Sequence, residues 1–508
     1  MTGVTPSFDE FSRLAERYGH VPLVATLIFD DLTPLSAFAR LQADSQRAFL
    51  LESVVGGESV ARYSFVGADR AHTFEVTRDR VRVHEHRTAQ VDEQPTTDPL
   101  ADLDRLLRRH HSPTLPGLPH FLDGAVGYAA YDTVRYYESL PAAPPDDRGL
   151  PDLLFDLYES LVIFDHVGKL VRVVAHAEVP PAAGAGELRH SYRTAVERIE
   201  WLIERLGWAF ALEPARVALP EPPTQNHTSN LTPADFDRVV ARCQAAIAAG
   251  QVTQVVPSQR LLVETAAEPL NIYRALRVID PSPFMFYLKG PRLTVLGASP
   301  EMMCRVEDGV VTTRPLAGTR RRGATPEEDE QRRAELLADP RERAGHETRV
   351  ELSRRDLARV SRPGTVQVRR PMTAEVYSRA IHLSSTLSGM LREGLTALDA
   401  LRAVLPVGAV CGAPKLPAME LVDACEPTRR GPFGGAVGYV DFAGHLDSCI
   451  AVRTLVVQSA GNERHKAWVQ AGTPVFADTA PQAAYQRSLT RASSLLSAIQ
   501  VAEERFAT

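Results

Sequence analysis

Arginine carries nearly all of the positive charge in this 508-residue chain, whose only lysines are Lys169, Lys289, Lys415 and Lys466. Few positions can therefore supply an amine nucleophile, and anions must be met by guanidinium groups, whose planar fork matches a carboxylate. Arg453 lies in Ile450-Ala451-Val452-Arg453-Thr454, a strand-like run whose alternation turns it away from Val452. Fixed on a rigid strand, it suits bidentate carboxylate binding, or else a structural ion pair. Gly431-Pro432-Phe433-Gly434-Gly435 and Ala471-Gly472-Thr473 set bare amides beside strands, where they can face an anion. The Arg320-Arg321-Arg322 run reads as a solvated loop or a small-anion site, since no aromatics interleave it as nucleic-acid binding would require. His84-Glu85-His86 and His110-His111 lack a third ligand at metal-site spacing, and alternate residues on an exposed strand explain the first equally well. No phosphate-binding Walker loop, helix-opening Gly-x-Gly-x-x-Gly or Gly-x-Ser-x-Gly elbow is present.

These groups need elements to hold them. Leu153–Asp165 and Lys169–Ala175 are β-rich runs separated by His166-Val167-Gly168. Leu188–Leu206 has helical periodicity through Tyr192, Val196, Ile199, Leu202 and Leu206, after a loop at Pro180–Gly186. Thr232-Pro233-Ala234-Asp235 combines an N-cap, a proline at the first helical position and an acid at the third. The apolar face Phe236, Val239, Val240, Cys243 and Ile247 follows it, Gly250 stops the helix, and Val252–Val263 reads as a strand. Prolines start two more helices at Pro326 and Pro340, and a last helix runs from about Pro481 to Ala507. The pentapeptide Gly124-Ala125-Val126-Gly127-Tyr128 recurs at Gly435-Ala436-Val437-Gly438-Tyr439, by coincidence or duplication. Both copies look like glycine-containing strands approached closely by another backbone. The expected class is α+β, with antiparallel sheets and helices on the outside.

Composition excludes several classes of function. With 44% hydrophobic residues and 24% charged, the chain has ample core, and its net charge of −6 provides no global field for nucleic acid or membrane. The five cysteines form no close pair and are expected to be reduced thiols in a cytoplasmic protein. Asp9 and Glu10 precede any apolar run, so no signal peptide is expected, and no apolar stretch is long enough to span a membrane.

Phe49-Leu-Leu-Glu-Ser53, Arg62-Tyr-Ser-Phe-Val-Gly67 and Asp280-Pro-Ser-Pro-Phe-Met-Phe-Tyr287 resemble the N-terminal signature of the anthranilate synthase large subunit. Ala298-Ser-Pro-Glu301, Pro315-Leu-Ala-Gly-Thr-Arg320, His382-Leu-Ser-Ser385, Gly412-Ala-Pro-Lys415 and Ala451-Val-Arg-Thr454 resemble the chorismate-utilising family in the same order along the chain. The resemblance implies a regulatory-type part at residues 1–212, interleaved with the catalytic part, a linker at 213–230 and a chorismate-binding catalytic part at 231–508. It implies a tryptophan pocket at Glu52, Ser53, Pro283, Phe284 and Met285, with Asp280 where asparagine is more usual; these residues could instead staple two sheets together.

The resemblance also implies residue roles. Gln254 stands where water-adding members carry lysine, and Gln cannot deprotonate water. Ala317 stands where 4-amino-4-deoxychorismate producers carry a nucleophilic lysine. What remains is amination of chorismate at C2 as the C4 hydroxyl leaves, followed by loss of pyruvate. Glu301 would be the acid, His382 would assist the later steps, and Gln254 and Thr319 complete the catalytic set. Arg453 and the Gly472 amide would clamp the pyruvyl carboxylate, with Lys415, Gly435 and Arg487 as further substrate contacts. Ammonia would come from solution or from a separate glutamine amidotransferase subunit, and the chain could be a homo-oligomer.

The departure from the family lies at its Mg²⁺ site. The four positions that carry metal-binding glutamates in relatives read Glu342, Gly345, Ala484 and Arg487. Glu351-Leu-Ser-Arg-Arg355-Asp356 varies the neighbouring signature, Phe433 replaces a usual tyrosine, and Pro474 replaces a glycine and so has no N–H. No cofactor is therefore expected, and no bound metal. Three readings stay open: a working enzyme with an altered carboxylate site, a homologue redirected to a related substrate in specialised metabolism, and a non-catalytic binder of chorismate or tryptophan.

Overall fold

The computed structural model describes residues 3–53, 62–208, 212–214, 223–377, 380–461 and 464–506. Among these residues the strands form two twelve-stranded antiparallel sheets. The first runs, in spatial order, from Val4–Thr5 and His20–Leu27 through Leu170–Glu178, Ser160–Asp165, Tyr63–Gly67 and Ala48–Glu52. It continues through Phe284–Lys289, Leu293–Ser299, Thr454–Gly461, Arg464–Gly472 and Ser258–Thr265 to Thr228–Ser229. The second passes from Leu316–Arg321, Ala380–Met390, Val310–Thr313, Met302–Glu307, Leu446–Ile450 and Ala436–Val440 to Gly124–Ala129, Leu153–Tyr158 and the Arg70–Thr77, Arg80–Glu85 and Gln90–Pro95 meander, and its twelfth strand, Gln367–Val376, pairs with Ala380–Met390 off this path.

Each sheet is thus built from both halves of the chain. In the first, the junction pairs Ala48–Glu52 with Phe284–Lys289, so that Glu52 lies opposite Met285. In the second, the repeated pentapeptides meet: Gly127 lies opposite Gly438 and Tyr128 opposite Val437. Their glycines are required by close approach, since a Cβ on Gly127 would come within 1.9 Å of the Leu154 carbonyl oxygen and one on Gly438 within 2.0 Å of that of Asp447.

The sheets pack face to face. Phe286 and Val295 of the first meet Tyr128, Val437 and Cys449 of the second, while Val24, Phe49 and Ile163 meet Val126 and Tyr158. The outer face of the first is covered by Ala185–Gly207, Pro269–Ile279 and Pro481–Phe506, through Val196, Ile199, Leu276 and Leu495. The second is covered by Pro99–Leu107 and Ala397–Val404, through Leu103, Leu398 and Leu401. This is the α+β arrangement with antiparallel sheets inside and helices outside.

The proline-started helices are where their caps put them. The Thr232 hydroxyl accepts from Asp235 N–H while the Asp235 carboxylate accepts from Thr232 N–H, and Thr325 and Asp339 cap the helices that open at Pro326 and Pro340. Two local expectations need correction. The strand expected over Val252–Val263 is broken into Gln254–Val255 and Ser258–Thr265, because the Val255 and Val256 N–H groups donate to Val475 and Cys411 and Pro257 has none to give. Of the linker at 213–230, residues 215–222 lie outside the described residues; its end is not loose chain, since Thr228–Ser229 pairs as an edge strand with Leu261 and Leu262. Ala507, the expected helix end, also lies outside them.

Candidate active site

The site residues sit where the chain hands over from one sheet to the other. Ser299 ends a strand of the first sheet and Met302 begins one of the second, which leaves Glu301 in the crossing. Ile450 ends a strand of the second sheet and Thr454 begins one of the first, which leaves Arg453 in a neighbouring crossing. The two crossings are bonded together: Ile450 N–H donates to the Glu301 carbonyl at 3.0 Å and Ala298 N–H to the Arg453 carbonyl at 3.1 Å. Arg453 holds a left-handed φ of 49°, a strained conformation for a residue other than glycine.

Three elements of the second sheet's edge and one of the first complete the surroundings, with one further helix. They are β1 (Leu316–Arg321), α1 (Pro340–Ala358), β2 (Ala380–Met390), β3 (Arg464–Gly472) and α2 (Pro481–Phe506). The Leu316 peptide of β1 is gripped from both sides. Its N–H donates to Glu301 Oε1 at 3.0 Å, and its carbonyl accepts from the Arg349 guanidinium of α1. Glu301, Pro315, Arg349, Leu352 and Asp356 line a narrow cleft with a cavity volume of ≈ 20 Å³. A larger cavity, between Ala185–Gly207 and the first sheet, holds none of these groups.

Burial pushes the Glu301 carboxyl up to about 7, although Arg349 and the Leu316 N–H pull it back. His382 of β2 is moved the other way. Burial lowers it to about 4, the hydrogen bond to Gly318 opposes this, and Arg453 and Arg349 lower it further. Because the Gly318 carbonyl can only accept, His382 Nδ1 carries the proton and donates to it at 2.9 Å, with the Thr319 hydroxyl 3.2 Å from the same nitrogen. At neutral pH the imidazole is therefore uncharged, with Nε2 as its lone-pair nitrogen.

Arginines dominate the rest. Arg453 donates to Asp280 Oδ1 at 2.9 Å and so makes an ion pair; the expected placement on a strand is corrected, because the residue lies between the strands that end at Ile450 and begin at Thr454. On α2, Arg491 donates to the Gly472 carbonyl of β3 at 2.9 Å, one helical turn beyond Arg487. Both residues are exposed overall, although the Arg491 guanidinium is packed against protein. Enclosure by the cleft, then Arg349, Arg453 and Arg487, pulls the Arg491 guanidinium down to about 10. Sequence reasoning missed Arg491, and the signal was its spacing of four from Arg487.

Other expected contacts are committed elsewhere. Lys415 Nζ lies 3.1 Å from each oxygen of Asp356 and donates to the Val404 carbonyl. The Gly435 N–H donates to the Pro432 carbonyl at 2.9 Å, so its amide is not free for an anion; the expected substrate contact there is corrected. Gln254 pairs in a short ladder with Ala413. Arg320 and Arg322 of the arginine run bind Asp339, Glu342 and Asp329, so the run holds protein carboxylates rather than an outside anion. His86 bonds Arg70 and Thr73, and His110 bonds His20 ring to ring.

The degenerate metal positions do not fit Mg²⁺, which takes oxygen ligands in near-octahedral geometry. Glu342 is held by Arg320 at 3.0 Å, Gly345 has no side chain, Ala484 presents a buried methyl and Arg487 a cation. In the tryptophan-pocket positions, the Glu52 carboxylate accepts from Tyr273 at 2.8 Å and Arg277 at 2.9 Å, while the buried Ser53 hydroxyl lacks a partner among the described residues. Pro283 and Phe284 enter the strand that carries Met285 opposite Glu52.

The profile of the chorismate binding enzyme family matches residues 48–497. The chain is 40% identical to anthranilate synthase component 1 of Acetivibrio thermocellus, over 98% of this chain and 99% of that one. It is 42% identical to that of Streptomyces coelicolor, over 96% and 91%. The crystal structure of anthranilate synthase component I from Streptococcus pneumoniae superposes with a TM-score of 0.75 at 31% identity, covering 92% of this chain and 99% of that one. The chain belongs to the chorismate-binding enzyme family, among relatives of anthranilate synthase component I.

Proposed function

We propose that the chain is a lyase of the anthranilate synthase type, converting chorismate and ammonia to anthranilate, pyruvate and water. The observation that carries this reading is Glu301, a carboxyl held near neutrality by burial at the wall of a cleft it shares with Arg349. Such an acid is protonated often enough at pH 7 to act as a general acid. It gives its proton to the C4 hydroxyl, which leaves as water. The ammonia lone pair forms the C2–N bond while the two ring double bonds shift toward C4. The ammonium so formed releases one proton. His382 Nε2, uncharged at this pH, then takes the C2 hydrogen as a C2=C3 bond forms and the C3–O bond breaks, and the enolpyruvate that leaves takes up a proton at its methylene carbon to become pyruvate. Arg453 is positioned for the pyruvyl carboxylate.

Gln254 and Ala317 support ammonia rather than water or lysine as the attacking group, because neither side chain can serve as a base or an amine. Ammonia is supplied by a separate amidotransferase subunit or by solution. The replaced metal positions favour a second reading, amination of a chorismate-like substrate with a different ring substituent. Incubation of the purified chain with chorismate and ammonium tests the first reading: anthranilate and pyruvate in equal amounts are expected, and unchanged chorismate would contradict it.

A further inference from the structure

Resting on the reading above, we propose that the ring carboxylate of the substrate is bound directly by Arg487 and Arg349, with Arg491 beside them, so that this chain holds its dicarboxylate through guanidinium groups and needs no divalent cation.

The argument begins with charge. On α1, Arg354 and Arg355 share Glu351 and Arg341 takes Asp478, while, among the described residues, Arg343 reaches only the Leu337 carbonyl; on the neighbouring β1, Arg320 takes Glu342. Among the described residues none of Arg349, Arg487 and Arg491 has a carboxylate within 4.0 Å. The only hydrogen bonds seen from them go to backbone carbonyls, Leu316 for Arg349 and Gly472 for Arg491. The acids that could neutralise them are otherwise engaged. Asp280 holds Arg453, Glu342 holds Arg320, and Glu301 is half-protonated near neutral pH. Several cations gathered without counter-charge repel one another unless an anion enters.

Position then specifies the anion. Arg349 lines the cleft with Glu301, and Arg491, bonded to the Gly472 carbonyl, lies near enough to Arg349, Arg453 and Arg487 to feel the charge of all three. A dicarboxylate whose two groups are separated by a ring can reach more than one of these guanidinium groups at once. Next to Gly472, the buried Thr473 hydroxyl also lacks a partner among the described residues, which adds an unsatisfied polar group to the same wall. Arg487 does not merely plug an abandoned metal site by pairing with Glu342, because Glu342 is already held by Arg320. A planar guanidinium fork binds a carboxylate bidentately, so it can replace a metal in gripping this group.

Titration calorimetry of chorismate into the purified chain, without ammonia, tests the proposal in excess EDTA and again with added Mg²⁺. The expected result is equal affinity in both, weakened about 10- to 100-fold in Arg487→Ala and in Arg349→Ala. Arg487 is solvent-exposed, so its variant is expected to melt like wild type; if Arg349→Ala fails to fold, Arg487→Ala alone decides. Binding that requires Mg²⁺, or wild-type affinity in Arg487→Ala, overturns the guanidinium site and leaves the reaction standing. Metal-free binding through Arg487 with no aminated product overturns the reaction and leaves the site. Absence of binding in both buffers overturns the two together.

Discussion

Glu301 and His382 are tuned in opposite directions by one property of the cleft, its exclusion of water. The carboxyl is kept as an acid and the imidazole as a base at the same pH, the arrangement that general acid and base roles require. Glu301→Gln keeps the shape and removes the proton, so turnover is expected to fall by about 10²–10⁴ while calorimetric affinity for chorismate stays within about twofold; near-native turnover would make Glu301 structural. At fixed free ammonia, the rate is expected to fall as pH rises through about 7, where Glu301 ionises, and to hold on the acid side toward about 4, where His382 charges. The same shift has a stability consequence. The unfolded Glu301 ionises near 4.5 and the folded one near 7, so the folded chain binds more protons between them and stability is lost as pH rises through that window. Glu301→Gln is therefore expected to melt higher than wild type at pH 8 but not at pH 4. Equal melting temperatures at both would contradict the burial argument.

The elements matter because they deliver these groups through crossings between sheets. The paired pentapeptides form the junction of the second sheet, and the flanking backbones at Leu154 and Asp447 leave no room for a methyl group on Gly127 or Gly438. Gly127→Ala or Gly438→Ala is expected to cost at least about 1–3 kcal/mol in urea denaturation, as overpacking does; no loss would mean that the junction can relax. At the other junction, the ladder that sets Glu52 opposite Met285 gathers the five residues resembling a tryptophan pocket. A bound effector at a hundred times its dissociation constant adds about 2.7 kcal/mol of stability. Millimolar tryptophan is expected to raise the melting temperature, and no shift would leave those residues as a staple.

Several of these elements were legible in the sequence for local reasons. Thr232-Pro233, Thr325-Pro326 and Asp339-Pro340 announce helix starts because cap and proline act within one turn. The interruption at Pro257 was legible in principle, for the residue has no N–H. What was not legible is pairing between distant strands. Nothing near Gly127 says that Gly438 lies across from it, whereas the bond from the Gly435 amide to Pro432 closes a local four-residue turn. The engagement of Asp280 by Arg453 and of Glu342 by Arg320 depends on that same long-range geometry. Arg491 differs: its spacing from Arg487 was visible, but only the folded cleft shows that it has no acid.

At the scale of the whole molecule, each sheet is shared by both halves of the chain, so the catalytic cleft and the Glu52 cluster belong to one continuous scaffold. No described helix is long and apolar enough to cross a membrane. Burial holds the thiols of Cys304 and Cys411 up at about 12 and 11 and raises Cys449 as well, while Cys243 and Cys425 are free thiols that hydrogen-bond to each other, which raises the first and lowers the second. Four of the five are thus held away from the thiolate that glutamine hydrolysis needs. Glutamine alone is accordingly expected to give no product where ammonium does. The most direct measurement supplies ¹⁵N-ammonium and chorismate in ¹⁸O-water and weighs the product. The account predicts anthranilate carrying one ¹⁵N and no ¹⁸O; a hydroxylated product carrying ¹⁸O, or chorismate recovered unchanged, would contradict it.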